Sequence, residues 1–248
     1  MEPLQPDSSF HIFNHANGFE NVFKHEANYY FFMDKYWKYI GPIAETYAYC
    51  LMPNHFHLVI RIRKREAIEE LIRNKNKSSK NNNFSNSNNF SKVSNPERSG
   101  NLSSTEFDQT KPVNFGKVGT ISDSEIQKYL SKQFANLFSS YTQSFNKVYG
   151  RMGSLFIKNF KRESITDRTH FLNTVVYTHR NPIHHSFCKN YEDWTYSSYN
   201  EILQGTTSGI ETTKLLKMTG GLNGFLQIHK RSLDTPDNKN YPDIPFPI

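Results

Sequence analysis

Two short stretches of this chain carry residue types whose spacing can do chemistry. The first runs from Tyr47 to Arg63 and contains His55-Phe-His57 directly after Met52-Pro-Asn54. In a strand, successive side chains point to opposite faces. One face then takes Phe56, Leu58, Ile60 and Ile62, all large and apolar, and the other takes His55, His57, Val59, Arg61 and Arg63. Two imidazoles at i and i+2 stand roughly 7 Å apart at their Cα atoms, close enough to converge on one cation. Neutral imidazole binds ions such as Mn²⁺, and arginine pairs with phosphate oxygens. The plainer reading makes the histidines the polar side of a half-buried strand. The Pro-Asn turn and the arginines on the same face favour a metal with phosphate nearby.

The second stretch is Asp167 to Pro182. On a helix, Phe171, Leu172, Val175, Val176 and His179 share one stripe, whereas Tyr177 shares the opposite one with His170, Asn173, Thr174 and Asn181. A core tyrosine belongs in the apolar stripe, and this one does not lie there. A surface tyrosine is the competing reading, and the residues alone favour it.

The elements that must hold these stretches can be read along the chain. Phe10-His-Ile-Phe alternates as a first strand, followed by the turn signal Asn17-Gly18. Glu26 to Ile40 places Phe32, Tyr36, Tyr39 and Ile40 at helical spacing. Glu45 to Leu51 and His55 to Arg63 form a hairpin, and a short helix from Glu66 to Arg73 follows. Residues 74–120, rich in Asn, Ser and Lys, cannot bury enough apolar surface to offset the entropy of ordering and read as a disordered insertion. Asp123 then caps a long helix to Tyr149, with Ile126, Leu130, Phe134, Leu137, Phe138, Tyr141, Phe145 and Val148 as its apolar stripe. Gly150 ends that helix. A short strand-like piece lies around Leu155-Phe-Ile157. Asp167 caps a helix that Pro182 should stop by Asn181. A weak helix from Thr212 to Lys230 and a proline-rich tail complete the chain.

The 248 residues include 30 Lys and Arg against 23 Asp and Glu, giving a net charge of +7. The pI near 9.2 favours a polyanionic partner such as nucleic acid. A mean hydropathy of −0.71 with 15% aromatic residues implies a well-packed part beside a very polar one. No run of eighteen apolar residues exists, so no membrane span is expected. The first residues lack the pattern of a secretory signal. Cys50 and Cys188 are too few for a disulfide scaffold or a cysteine-built zinc site. A reduced, cytoplasmic setting is the expectation.

Together these pieces resemble a family. The block Cys50-Leu-Met-Pro-Asn-His-Phe-His57 is similar to the His-hydrophobe-His (HUH) signature of single-tyrosine transposases, especially the branch that includes the REP-associated tyrosine transposases. Four further stretches agree in order: Phe10-His-Ile-Phe-Asn14, Arg151-Met-Gly-Ser-Leu-Phe156, Tyr177-Thr-His-Arg-Asn-Pro182 and Tyr191-Glu-Asp-Trp-Thr-Tyr-Ser-Ser-Tyr199. His15 stands where the family usually has arginine, and the Asn/Ser insertion is longer than usual.

The resemblance implies an α+β fold with a ferredoxin-like antiparallel sheet of four or five strands and helices packed on one face. The Tyr177 helix would lie over the histidines. It spans residues 8–203, with the insertion inside it, and leaves 204–248 as a C-terminal helix and extended tail. It makes Tyr177 the nucleophile, His55 and His57 ligands of Mg²⁺ or Mn²⁺, and Asn181 a third ligand or orienting group. The implied activity is cleavage and rejoining of single-stranded or hairpin DNA through a 5′-phosphotyrosine, in a bacterial cytoplasm and at the nucleoid. Arg61, Arg63, Arg151, Lys158, Lys161 and Arg162 are candidates for phosphate contact. A catalytically idle hairpin-DNA binder and a hydrolytic metal nuclease are the rival functions. Oligomeric state stays open, a homodimer included.

Overall fold

β1 (Ser9–His15), α1 (Glu26–Tyr39), β2 (Ala44–Met52) and β3 (His55–Ile62) form the first half of the fold, with β2 and β3 joined by the Pro53-Asn54 turn. The structure is a computed structural model that describes residues 2–86, 120–205 and 209–234, and side chains within them up to 77 and from 120 onward. After β3 come α2 (Arg65–Asn86), α3 (Asp123–Tyr149), β4 (Lys161–Ile165) and α4 (Arg168–His184). A short 3₁₀ turn at Tyr191–Asp193, α5 (Tyr199–Gln204), α6 (Thr212–Thr219) and α7 (Leu222–Asp234) follow. The four strands are antiparallel in the order β2-β3-β1-β4, the ferredoxin-like arrangement of a β-α-β-β-α-β chain.

The alternation in β3 sorts its side chains as the pattern requires. Phe56, Leu58 and Ile60 join Phe10 and Ile12 of β1 beneath α1 and α3, and all five are fully buried or nearly so. Phe32 of α1 packs 5.2 Å from Phe56 and 5.3 Å from Tyr141 of α3. Each such ring removed from water contributes roughly 1.5–3 kcal/mol. The buried hydroxyls of Tyr36 and Tyr141 are satisfied as well: Tyr36 Oη lies 2.6 Å from Thr46 Oγ1, and Tyr141 Oη donates to the Val22 carbonyl at 2.6 Å.

Several boundaries differ from the sequence reading. α2 continues to Asn86 rather than stopping at Arg73, because no Pro or Gly interrupts it and propagation from its packed first turns costs little. Residues 87–119, the bulk of the expected insertion, and the tail from 235 lie outside the described residues. The N-cap of α3 is Ser122, not Asp123: its Oγ accepts from Glu125 N, and the Glu125 carboxylate accepts from Ser122 N at 2.9 Å. Val148 is 72% exposed and leaves the apolar stripe. The segment around Phe156 makes only an isolated bridge to Ala16, and the regular strand β4 starts at Lys161.

Pro182 lies inside α4, which runs one residue pair further to His184. The proline is buried, and the turn is closed around it by His185 N donating to Asn181 O and Phe187 N donating to Pro182 O. The single helix expected from Thr212 to Lys230 is two, broken where Gly220 and Gly221 both take positive φ. Among the described residues no helix is long and apolar enough to cross a membrane.

Candidate functional site

The sheet face opposite α1 and α3 is built from imidazoles. Antiparallel pairing places His15 across from His55 and Phe13 across from His57, with His11 two residues further along β1. β4 adds Glu163 beside His11 and Lys161 beside Phe13. β2 adds Cys50 across from His57 and Met52 across from His55. α4 lies over this face, anchored by Phe171 edge-on to Tyr47 at 5.0 Å. Asp167 caps α4 by accepting from His170 N at 2.9 Å, which sets the helix start and so the rotation of the residues beyond it.

That rotation brings the polar stripe of α4 down onto the sheet. The Tyr177 ring stands edge-on to His57 at 5.4 Å and to His11 at 5.8 Å between centroids. One turn on, Asn181 Oδ1 lies 2.8 Å from His55 Nε2. The His55 and His57 rings are 5.3 Å apart and nearly perpendicular. Tyr177, His55, His57 and Asn181 are therefore gathered in one place. Thr174 and Asn181, read from the sequence as members of the polar stripe with Tyr177, are buried here, while Tyr177 is half-buried.

Each imidazole is held by its other nitrogen. His55 Nδ1 faces Asn54 Oδ1 at 2.8 Å, and His57 Nδ1 faces His11 Nε2 at 2.9 Å. Burial lowers the His55 pKa to about 3, only partly offset by the Asn181 contact. Burial, then the neighbouring His11 and His55 rings, hold His57 well below the ordinary histidine value. His11 is lowered by burial too, against the opposing pull of Glu163. Neutral imidazoles are the form that ligates metal.

The His55–Asn181 contact has a chemical consequence. Both nitrogens of the His55 ring face amide oxygens, yet a neutral ring carries one proton. Two lone pairs 2.8 Å apart call for a proton or a cation between them, unless the Asn181 amide is turned so that its NH₂ donates. Two cis ligands of a small cation stand roughly 3 Å apart when each bond is about 2.1 Å. The Asn181 amide nitrogen, buried and with no hydrogen-bond partner, gains nothing from the present orientation. The donor set of His55, His57 and Asn181 thus fits a hard or borderline divalent ion. Among the described residues there is no group of three or more His, Cys, Asp or Glu side chains suited to a metal, so the amide oxygen would have to complete the set.

The basic candidates divide between this face and other parts of the molecule. Lys161 is exposed on the imidazole face, and Lys158 is exposed on the loop just after Ile157, whose N–H donates to His15 O. Arg61 lies four residues from His57, roughly 13 Å along the strand, and pairs with Asp7 at 2.9 Å. Arg63 donates to Gly41 O. Arg162 points to the opposite face, stacked over Phe160. Arg151 is committed to Glu20 and to the loop carbonyls of Met152, Gly153 and Ser154. The sequence reading missed His11, His15 and Glu163 as members of the cluster. The alternation of His11, Phe13 and His15 along β1 carried the signal for the two histidines, since residues 11, 13 and 15 must share one face.

Sequence comparison finds no known family and no curated protein that matches this chain. Among solved structures, the chain is similar to a REP-associated tyrosine transposase bound to a REP hairpin. The TM-score is 0.45 at 13% identity, and the match covers 82% of this chain and 83% of that one. The likeness is distant, and no residue role follows from it.

Proposed function

We propose that this protein cleaves and rejoins single-stranded DNA by a metal-assisted transesterification in which Tyr177 is the nucleophile. The observation that carries the reading is the meeting of the Tyr177 ring with His57 at 5.4 Å, one turn from the Asn181–His55 contact. The ring also stands 5.8 Å from His11, so the phenol lies among the buried imidazoles of the sheet face. The motif order noted in the sequence adds to it.

His55, His57 and Asn181 would hold Mg²⁺ or Mn²⁺. When bound, the ion supplies Lewis-acid stabilisation of charge on the phosphate oxygens. The chain's own residues do the rest. α4 holds the phenol over the sheet so that Tyr177 Oη can approach phosphorus in line. A phenol attacks as its oxygen loses the proton, to water or to a neighbouring neutral imidazole. A P–O bond forms to the tyrosine, and the bond to the 3′ oxygen breaks. The products are a 5′-phosphotyrosine and a free 3′-hydroxyl. Attack by a second 3′-hydroxyl reverses these steps and releases the tyrosine, with no net hydrolysis. Lys161, on the imidazole face, and Lys158, on the loop after Ile157, are exposed cations available for phosphate contact.

The test is to incubate labelled single-stranded hairpin DNA with the protein and Mn²⁺ and to resolve products on denaturing gels. A covalent adduct that disappears in Tyr177→Phe supports the proposal. Cleavage without an adduct would replace it with a hydrolytic nuclease, and binding without cleavage with a DNA-binding role alone.

A further inference from the structure

Three adjacent strands contribute one polar residue each to a diagonal row: Glu163 from β4, His11 from β1 and His57 from β3. His11 is 95% buried, its Nε2 lies 2.9 Å from His57 Nδ1, and its Nδ1 lies 3.7 Å from Glu163 Oε2. We infer that Glu163 and His11 are positioning residues that lock His57 into one tautomer, with the proton on Nδ1 and the lone pair on Nε2. The inference rests on the proposed role of His57 as a ligand, and it assigns a function to two residues outside that ligand set.

The argument is a count of protons along the row. One proton lies between His11 and His57, and either ring can own it. If His11 donated through Nε2, its Nδ1 would carry a lone pair facing the Glu163 carboxylate, and like partial charges would meet at 3.7 Å. If His11 keeps its proton on Nδ1, that N–H faces the carboxylate favourably, and Nε2 becomes an acceptor. His57 must then donate from Nδ1, which leaves Nε2 as the basic nitrogen. At 3.7 Å the carboxylate acts as an electrostatic partner rather than a tight hydrogen bond, which suffices to choose between two otherwise similar tautomers. Metal-ligating histidines are commonly oriented this way by a carboxylate or carbonyl behind them. Here the carboxylate acts through an intervening ring. The two rings are nearly parallel, 18° between planes, so the hydrogen bond also fixes the plane of His57 relative to Tyr177.

The decisive measurement needs neither metal nor DNA. Long-range ¹H–¹⁵N spectra of the metal-free protein with ¹⁵N-labelled histidine report which ring nitrogen bears the proton, with His57 assigned by its loss in His57→Gln. The expected spectrum shows His57 protonated at Nδ1 and bare at Nε2, and Glu163→Leu should populate the other tautomer. A His57 protonated at Nε2 in the unaltered protein overturns the inference. Mn²⁺ titration gives an independent readout. His11→Phe should weaken binding roughly 10- to 100-fold, whereas His11→Gln, whose amide oxygen still accepts from His57, should recover most of it. Equal weakening in both variants would make His11 a packing residue only. If the unaltered protein neither binds Mn²⁺ nor forms an adduct, the proposed function fails, while the spectrum still decides the tautomer.

Discussion

Replacing His229 with leucine should weaken the fold at neutral pH and yet make it less sensitive to acid. His229 on α7 belongs to a buried chain that clamps α7 to α4. Its Nδ1 donates to Phe225 O at 2.8 Å, so its Nε2 must accept from His179 Nδ1 at 2.9 Å. His179 Nε2 in turn accepts from Ser198 Oγ at 2.8 Å, and Ser198 Oγ accepts from Tyr49 N. Both rings are neutral in this scheme and every proton is used. Leucine would leave the His179 N–H unpaired, costing roughly 1–3 kcal/mol at neutral pH.

Burial lowers the His229 pKa to about 4, against about 6.5 in the unfolded chain. Because the folded value is the lower one, the unfolded state binds the proton first as pH falls. The contribution of His229 is therefore intact above about pH 6.5 and shrinks below it by roughly 1.4 kcal/mol per pH unit, reaching about 3 kcal/mol near pH 4. Leucine does not titrate. A deficit of about 2 kcal/mol at neutral pH should thus close near pH 5, where His229 itself has lost about 2 kcal/mol. Urea unfolding followed by Trp37 and Trp194 fluorescence at a series of pH values between these limits measures the gap. A gap that stays constant down to pH 5 would refute the assigned protonation states.

Asn181→Asp should tighten Mn²⁺ binding by tenfold or more and raise the His55 pKa, since a carboxylate would face the ring now opposite an amide; a metal titration alongside Asn181→Ala, which should weaken binding, checks both signs. Arg151→Ala should cost roughly 1–3 kcal/mol of stability through its Glu20 and carbonyl contacts while leaving the salt dependence of DNA binding unchanged; a salt slope reduced by about one would mark it as a phosphate contact. Ser122→Ala should cost about 1 kcal/mol in urea unfolding by removing the α3 cap.

Much of the frame was legible in the residues because it depends on local periodicity. The strand alternation of His55 to Ile62 separated core from imidazole face, and the stripe from Ile126 to Phe145 gave α3 its buried side. Local rules misplaced what depends on neighbours. Pro182 was expected to end α4 at Asn181, but tertiary burial and two carbonyl contacts carry the helix to His184. Arg151, a candidate for phosphate contact from the sequence, meets Glu20 in the fold, a partner distant in sequence that no local pattern announces.

For the site the division is sharper. The sequence by itself determined that His55 and His57 share a face and that Tyr177 and Asn181 lie one helical turn apart, because both follow from the repeat of a single element. Only the tertiary structure decided that this helix lies over that face and that His11 and Glu163 stand behind His57. Strand order is set by the pairing of β1 with β3, which puts Phe13 across from His57, and by a return of β4 beside β1. No periodicity within one strand specifies which strand will be its neighbour.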